Sequence, residues 1–269
     1  MAKQKLVLKR VSERQRIAWL TLNRPEKKNA LSEALLAELL DGIRSIRDNR
    51  NIRCIVLKAN GDTFSAGMDL YDLRDRYKTP ERWNQAASRK IVQMLRGCPQ
   101  ITLASVQGYC LGGGLVLLNA CDLAIAAEDA KIGMPEIIRG SYGSVATPTL
   151  FQSGLPMKTA FHIQLTGRNL SGAEAARVGL VSQAVPLKQL AATVNQLARE
   201  VASREPGALE HAKLAAYTSS DLPFDLALKA DEFIGHRLRL YANPTGDVGG
   251  YLKSQKGGGD AGYVKPGTR

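Results

Sequence analysis

ITLASVQGYCLGGGLVLLNACDLAIAA, residues 101–127, is the stretch on which the fold turns. Ile101–Val106 is a short apolar run with strand composition. Gln107–Gly114 interrupts it with glycines, Leu115–Cys121 is an apolar helical run, and Leu123–Ala127 is a second buried strand. No charged residue falls between Gly97 and Cys121, a length that invites comparison with a membrane span. Pro99, Gln100, Gln107, the triplet Gly112–Gly114 and Asn119 interrupt it, however. The stretch is therefore assigned to strand, turn and helix inside a protein core, and no membrane partner is expected.

Outward from this unit the same order recurs. Ile17–Leu22 has strand composition and closes on Asn23-Arg24-Pro25, a turn signal. Ser32 stands before a helical pattern with apolar residues at Leu35, Leu36, Leu39, Leu40, Ile43 and Ile46. Cys54–Leu57 is a short buried strand, followed by the loop Asn60–Gly67 and a charged stretch, Tyr71–Arg82, expected to be mobile. Arg82–Leu95 has a helical pattern. Strand, glycine-containing loop and helix thus occur at least twice, which is an α/β pattern. Ser171 and Glu174 form a capping box for a helix over Gly172–Val178, with Gly179 at the position after its end.

Beyond Leu187 the pattern is helical throughout. Leu190, Val194, Leu197 and Val201 mark one amphipathic helix, expected to end at Pro206. Gly207–Tyr217 and Phe224–Leu240 give two more, and the tail from Lys253, with Gly257–Gly259, has a flexible composition. The expected organisation is an α/β core over residues 1–186 and a helical region over residues 187–269.

The chain has 269 residues, 44% hydrophobic and 23% charged, enough for a large core and unlike a disordered protein. Its formal net charge of +12 favours anionic partners, a nucleotide-bearing substrate or a nucleic acid among them, without choosing between them. Cys54, Cys98, Cys110 and Cys121 show no CxxC spacing, and the opening MAKQKLVLKRVSERQ is polar and basic. A reducing cytoplasm is the expected compartment. No HExxH, CxxC or carboxylate cluster points to a metal, and no GxSxG to a serine hydrolase. His162, His211 and His236 stand in helical patterns without evident partners and are read as structural; Trp19 and Trp83 are read as packing residues.

Two loops and one carboxylate carry the candidate chemistry. Gly112-Gly113-Gly114 precedes a helix, where glycines allow close backbone approach and the first N–H groups are unpaired. That makes an anion site, or simply a tight turn into a packed helix. Phe64-Ser65-Ala66-Gly67-Met68-Asp69 also lies between a strand and a helix. Donors from two such loops, converging on one oxygen, would form an oxyanion hole. Glu136 lies in Met134-Pro135-Glu136-Ile137-Ile138, where apolar neighbours would raise its pKa and suit it to acid–base work. A glutamate in the first turn after a proline is also an ordinary helix start.

NRPEKKNAL (23–31), FSAGMDL (64–70), GYCLGGGLVL (108–117), CDLAIAA (121–127), MPEIIRG (134–140) and LTGRNLSGAEAARVGLVSQAV (165–185) resemble, in order, the motifs of the enoyl-CoA hydratase/isomerase, or crotonase, family. The resemblance runs from about Ile17 to Val185. It implies a spiral of ββα units with a C-terminal helical trimerisation region, in a homotrimer or a hexamer of two stacked trimers. It implies an acyl-CoA thioester as substrate, with coenzyme A entering as part of that substrate and no other cofactor. The N–H groups of Met68 and Gly113 would be the oxyanion donors and Glu136 the acid–base residue. Lys27, Lys28, Ala30, Ser65, Ala66, Asp69, Leu70, Gly112 and Val116 would contact the substrate or its coenzyme A. Gly140–Thr147 departs from the family's usual glycine-rich turn, which implies an acyl pocket of different shape with Tyr142 or Ser144 lining it.

The departure with the greatest chemical weight is Val116. Two-glutamate hydratases of the family carry a second glutamate there, and valine neither accepts a proton nor holds a water. Isomerases shift a double bond with one base, so the resemblance implies isomerisation first and hydration or hydratase-lyase chemistry second. Leu73 stands where the resembling hydratase-lyases have a tyrosine, which counts against the lyase. RNA binding is a third reading, from Arg44, Arg47, Arg50 and Arg53 at every third position. Such a run is more often a solvated face, and nucleic acid is the less favoured partner.

Overall fold

The computed structural model describes residues 4–77 and 86–241. Arg82, Trp83 and the glycine tail beyond Lys253 lie outside them. Strands β1 (Val7–Ser12) and β2 (Ile17–Leu22) form an antiparallel hairpin, and β2 then pairs in parallel with β3 (Cys54–Ala59). Between them α1 (Glu33–Arg47) starts at Ser32, whose hydroxyl accepts the Leu35 N–H at 3.3 Å. All six apolar residues of its expected stripe are buried. Helix α2 (Leu70–Tyr77) and α3 (Ala86–Gly97) follow. The start of the charged stretch expected to be mobile is thus helical, with Asp69 Oδ1 accepting the Tyr71 N–H and Asp72 Oδ2 accepting the Glu33 N–H.

Strand β4 (Ile101–Val106) pairs in parallel with β3 and falls on the expected residues. The glycine segment after it holds a short strand that its composition concealed, β5 (Tyr109–Leu111), before α4 (Gly113–Ala120) and β6 (Leu123–Ala127). Strand β7 (Lys131–Gly133) pairs with β5, and a 3-10 turn at Pro135–Arg139 leads to α5 (Ala146–Phe151) and α6 (Met157–Thr166). Strand β8 (Leu170–Ser171) completes a three-stranded sheet in the order β5-β7-β8. Helix α7 (Gly172–Arg177) has the expected capping box, and β9 (Gln183–Val185) closes the larger sheet, whose order is β1-β2-β3-β4-β6-β9. The parallel strands β2, β3, β4 and β6 are close to continuously apolar, as strands covered on both faces must be.

Helix α8 (Leu187–Ala202) lies across β2, β3, β4 and β6, burying Leu190, Val194, Ala198 and Ala202. It ends at Ala202, and Pro206 does not end it: Pro206 opens α9 (Pro206–Asp221), because a residue without an N–H suits a first turn. Helix α10 (Phe224–Tyr241) packs back on α9. All four cysteines are buried free thiols, and burial pushes the Cys54 thiol up to about 12. Among the described residues no helix is long and apolar enough to cross a membrane.

Candidate active site

Three loops are laced together by their main chains. Ser65 donates its N–H to Tyr109 O at 2.9 Å and accepts the Leu111 N–H at 3.0 Å. On the other side Leu31 N–H donates to Gly67 O at 2.8 Å, and Asp69 N–H to Leu31 O at 3.2 Å. These bonds engage the neighbours of Met68 and leave its own N–H without a main-chain acceptor. Gly113 is the first residue of α4, where the helix offers its N–H no acceptor either. A Cβ on Gly113 would lie 3.3 Å from Met68 N, and one on Gly67 would lie 3.5 Å from Gly113 N. The two amides are therefore close neighbours.

The buried side chains of the outer loop hold this arrangement. Asn29, fully buried with φ +51°, donates to Asn60 O at 2.9 Å and Thr63 O at 2.7 Å, and accepts the Arg24 N–H at 2.9 Å. Arg24 in turn pairs with Asp69 at 2.6 Å, and that pair holds the Asp69 carboxyl below its usual range although burial opposes it. Ser65 donates its hydroxyl to Asn29 O at 2.8 Å. Asn29 and Arg24 carried no role in the sequence reading beyond the loop motif. The signal that could have found them is an amide and a guanidinium, with a proline between, in a turn that must be satisfied internally.

Glu136 approaches the glycine triplet from the 3-10 turn. Its Oε1 lies so close to Gly112 (φ +49°) that a Cβ there would collide with it. Its Cδ is 3.3 Å from where a Cβ on Gly143 would be. Oε2 is buried without a hydrogen-bond partner. Burial is the largest influence on this carboxyl and raises its pKa, against the smaller opposing pull of its own backbone N–H and Arg139. The group is thus poised to hold or release a proton nearer neutrality than an exposed glutamate.

One cavity of about 640 Å³ gathers most of the expected residues. Ala66, Met68, Leu70, Gly112, Gly113, Val116, Glu136 and Tyr142 all line it, as does Ser144, whose hydroxyl is buried without a partner. Leu31, Leu36 and Leu117 supply apolar wall to which no site role was assigned, and Leu73, where the resembling hydratase-lyases carry a tyrosine, lines the cavity too. Lys27, Lys28, Ala30, Ser65 and Asp69 lie on the laced loops outside the cavity's lining, with Lys28 Nζ 5.3 Å from the Tyr109 ring centre. Among the described residues no group of three or more His, Cys, Asp or Glu is placed to hold a metal ion.

The arginine series is dispersed. Arg44 pairs with Asp41 on α1, Arg50 with Glu210 on α9, and Arg53 donates to the carbonyls of Ala202 and Arg204. His211 is buried with Nδ1 2.7 Å from Gly207 O, whereas His162 and His236 are exposed on their helices. Trp19 is buried under Arg10.

The enoyl-CoA hydratase/isomerase family model matches residues 12–234, and the chain belongs to that family of enzymes. A hydroxycinnamoyl-CoA hydratase-lyase of Pseudomonas fluorescens is 36% identical over 203 residues, 73% of each chain. A 2,3-dehydroadipyl-CoA hydratase of Escherichia coli is 31% identical, over 81% of this chain and 85% of its own. The crystal structure of an enoyl-CoA hydratase from Mycobacterium smegmatis superposes with a TM-score of 0.86 at 26% identity, covering 93% of this chain and 97% of that one. The fold is accordingly the crotonase fold, as the motifs implied.

Proposed function

We propose that this chain processes an acyl-CoA thioester through an enolate, with the thioester oxygen held by the N–H groups of Met68 and Gly113 and Glu136 as the single acid–base residue. The observation that carries this is the juxtaposition of two unengaged main-chain donors with a buried carboxylate whose Oε2 has no partner. Two such donors stabilise the negative charge that develops on the oxygen, and each is typically worth about 3–4 kcal/mol in the transition state. Isomerisation of a 3-enoyl-CoA then needs only Glu136, which takes the C2 proton and returns it at C4. Val116 beside it offers no second acid or base.

Coenzyme A would run past Lys27 and Lys28, where cations stand outside the cavity, with its acyl group inside. The scheme asks for no cofactor beyond the coenzyme A of the substrate. A second reading, hydration or hydratase-lyase chemistry, is favoured by the names of the relatives, which are hydratases and a hydratase-lyase. Assaying 3-hexenoyl-CoA and crotonyl-CoA side by side with wild type and Glu136→Gln separates the two. Near-normal turnover by the variant would remove Glu136 from either mechanism.

The exposed Phe224, Phe233 and Leu240 on α10 support assembly into a homotrimer or a hexamer, which sedimentation reads directly. Four free cysteines fit a reducing, cytoplasmic setting. RNA binding loses support from the engagement of Arg50 and Arg53, and absence of RNA retention at low salt would dispose of it.

A further inference from the structure

We infer that the acyl group taken by this cavity carries a second, anionic end: a terminal carboxylate recognised by Arg139. The inference rests on the acyl-CoA reading above and adds a substrate class to it. Arg139 is the fourth residue after Pro135 in the 3-10 turn that carries Glu136. In such a turn side chains three residues apart eclipse one another, so Arg139 stands on the same side as Glu136. Ile137 and Ile138 point elsewhere, toward Gly167, against which Ile138 Cδ1 packs at 2.8 Å from a would-be Cβ. Arg139 accordingly lines the cavity, and its charge reaches the Glu136 carboxyl.

The charge balance of that cavity is unusual for a purely apolar acyl chain. Among the described residues its walls are mainly leucines, valines and glycines, yet they include Arg139. Among the described lining residues Glu136 is the one carboxylate, and its work requires it to face the reacting carbon. Arg139 makes no ion pair among the described residues. A guanidinium fork matches a carboxylate through two parallel hydrogen bonds, and in a partly apolar cleft that pairing is stronger than in open water. The phosphates of coenzyme A have other cations to meet, because Lys27 and Lys28 lie outside the cavity while Arg139 lies within it. Tyr142 and Ser88 add hydroxyl groups to the same walls. A short dicarboxylic acyl chain, thioesterified at one end, would give the solvent-exposed Arg139 a partner that a plain alkyl chain lacks.

The test uses saturated thioesters, which bind without reacting: adipoyl-CoA and hexanoyl-CoA, of equal chain length, titrated calorimetrically into wild type and Arg139→Met. Wild type should favour adipoyl-CoA by about ten-fold or more, and the variant should bring the ratio close to even. The preference in wild type should also shrink as salt is raised. Equal affinities, a preference for hexanoyl-CoA, or a preference that survives Arg139→Met would overturn the inference. Should the variant fail to fold, the wild-type ratio and its salt dependence still decide. Failure of the enolate reading would appear separately, as Glu136→Gln turning over enoyl-CoA normally while the binding ratio stands.

Discussion

Asp122 and Glu136 are both carboxylates withdrawn from water, and the fold treats them in opposite ways. Asp122 Oδ2 accepts the Thr102 N–H at 2.7 Å and the Thr102 hydroxyl at 2.9 Å, and pairs with Lys213 at 2.8 Å; Oδ1 accepts the Tyr217 hydroxyl at 2.8 Å. Lys213 in turn donates to Leu95 O at 2.6 Å and Gln100 O at 2.9 Å. Burial, with the Asp122 charge beside it, pushes the Tyr217 hydroxyl well above its ordinary pKa, so it stays a donor. Every polar atom that the network needs is matched, and the result is a clamp fastening α9 to β4 and the end of α3. Glu136 has no such partners at Oε2. A buried charge that is fully paired builds structure; one left open calls for an explanation, and the proposed thioester substrate supplies one.

The largest expected effect tests the open member. Glu136→Gln should lower turnover of the preferred enoyl-CoA by about 10³–10⁴-fold, the upper range for general acid–base catalysis. The pH profile of kcat for wild type should show an ascending limb above the usual glutamate pKa, since the base acts only when ionised and its pKa is raised. A rate that is flat down to the ordinary carboxylate range would separate Glu136 from proton transfer.

The paired member comes next. Lys213→Met removes the cation and strands Asp122, which should cost about 3–5 kcal/mol in a urea unfolding curve. Adding Asp122→Asn to it should recover part of the loss, because the orphaned charge goes with it. A loss below about 1 kcal/mol for the single variant would mean that the clamp carries little of the fold.

Gly112→Ala probes the boundary between structure and chemistry. The positive φ disfavours any side chain, and the added Cβ would drive into Glu136 Oε1. A cost of about 1–2 kcal/mol in stability and a larger fall in kcat than in thioester affinity are expected. Equal falls in both would argue that the variant disturbs the whole cavity and not the carboxylate's placement.

The smallest effect is a gain. Because the folded pKa of Glu136 is raised, its contribution to stability is present below the unfolded pKa and is lost as pH rises through the folded value. Glu136→Gln should therefore stabilise the protein at neutral pH and raise its Tm there, with much less effect in acid. Stabilisation that is constant with pH would refute the linkage.

Much of this was legible before any coordinates. The strands at Ile17–Leu22, Ile101–Val106 and Leu123–Ala127, the stripe of α1 and the Ser171 capping box are local patterns, and local patterns survive folding. Strand β5 was not legible: it is three residues long and exists only through its pairing with Lys131–Gly133 and the bridge from Ser65 to Cys110. Pro206 begins a helix although the pattern before it suggests an end, since a lone proline marks a boundary without saying on which side the helix lies. Lys213 looked like any helical lysine, and its burial depends on carbonyls more than a hundred residues away.

By itself, then, the chain's order of residues determined the alternation of strand, glycine loop and helix, the family motifs and the isolated carboxylate at 136, because each is a property of neighbours along the backbone. Only the tertiary structure decided that the Met68 and Gly113 amides stand side by side, that Glu136 is shut away from a partner, and that Arg139 shares its cavity. Those facts join residues 68, 113 and 136, brought together by lacing between distant loops and by the burial of Asn29 and Asp69 behind them. Proximity of that kind is set by packing and hydrogen-bond satisfaction across the whole core, which no local stretch of sequence contains.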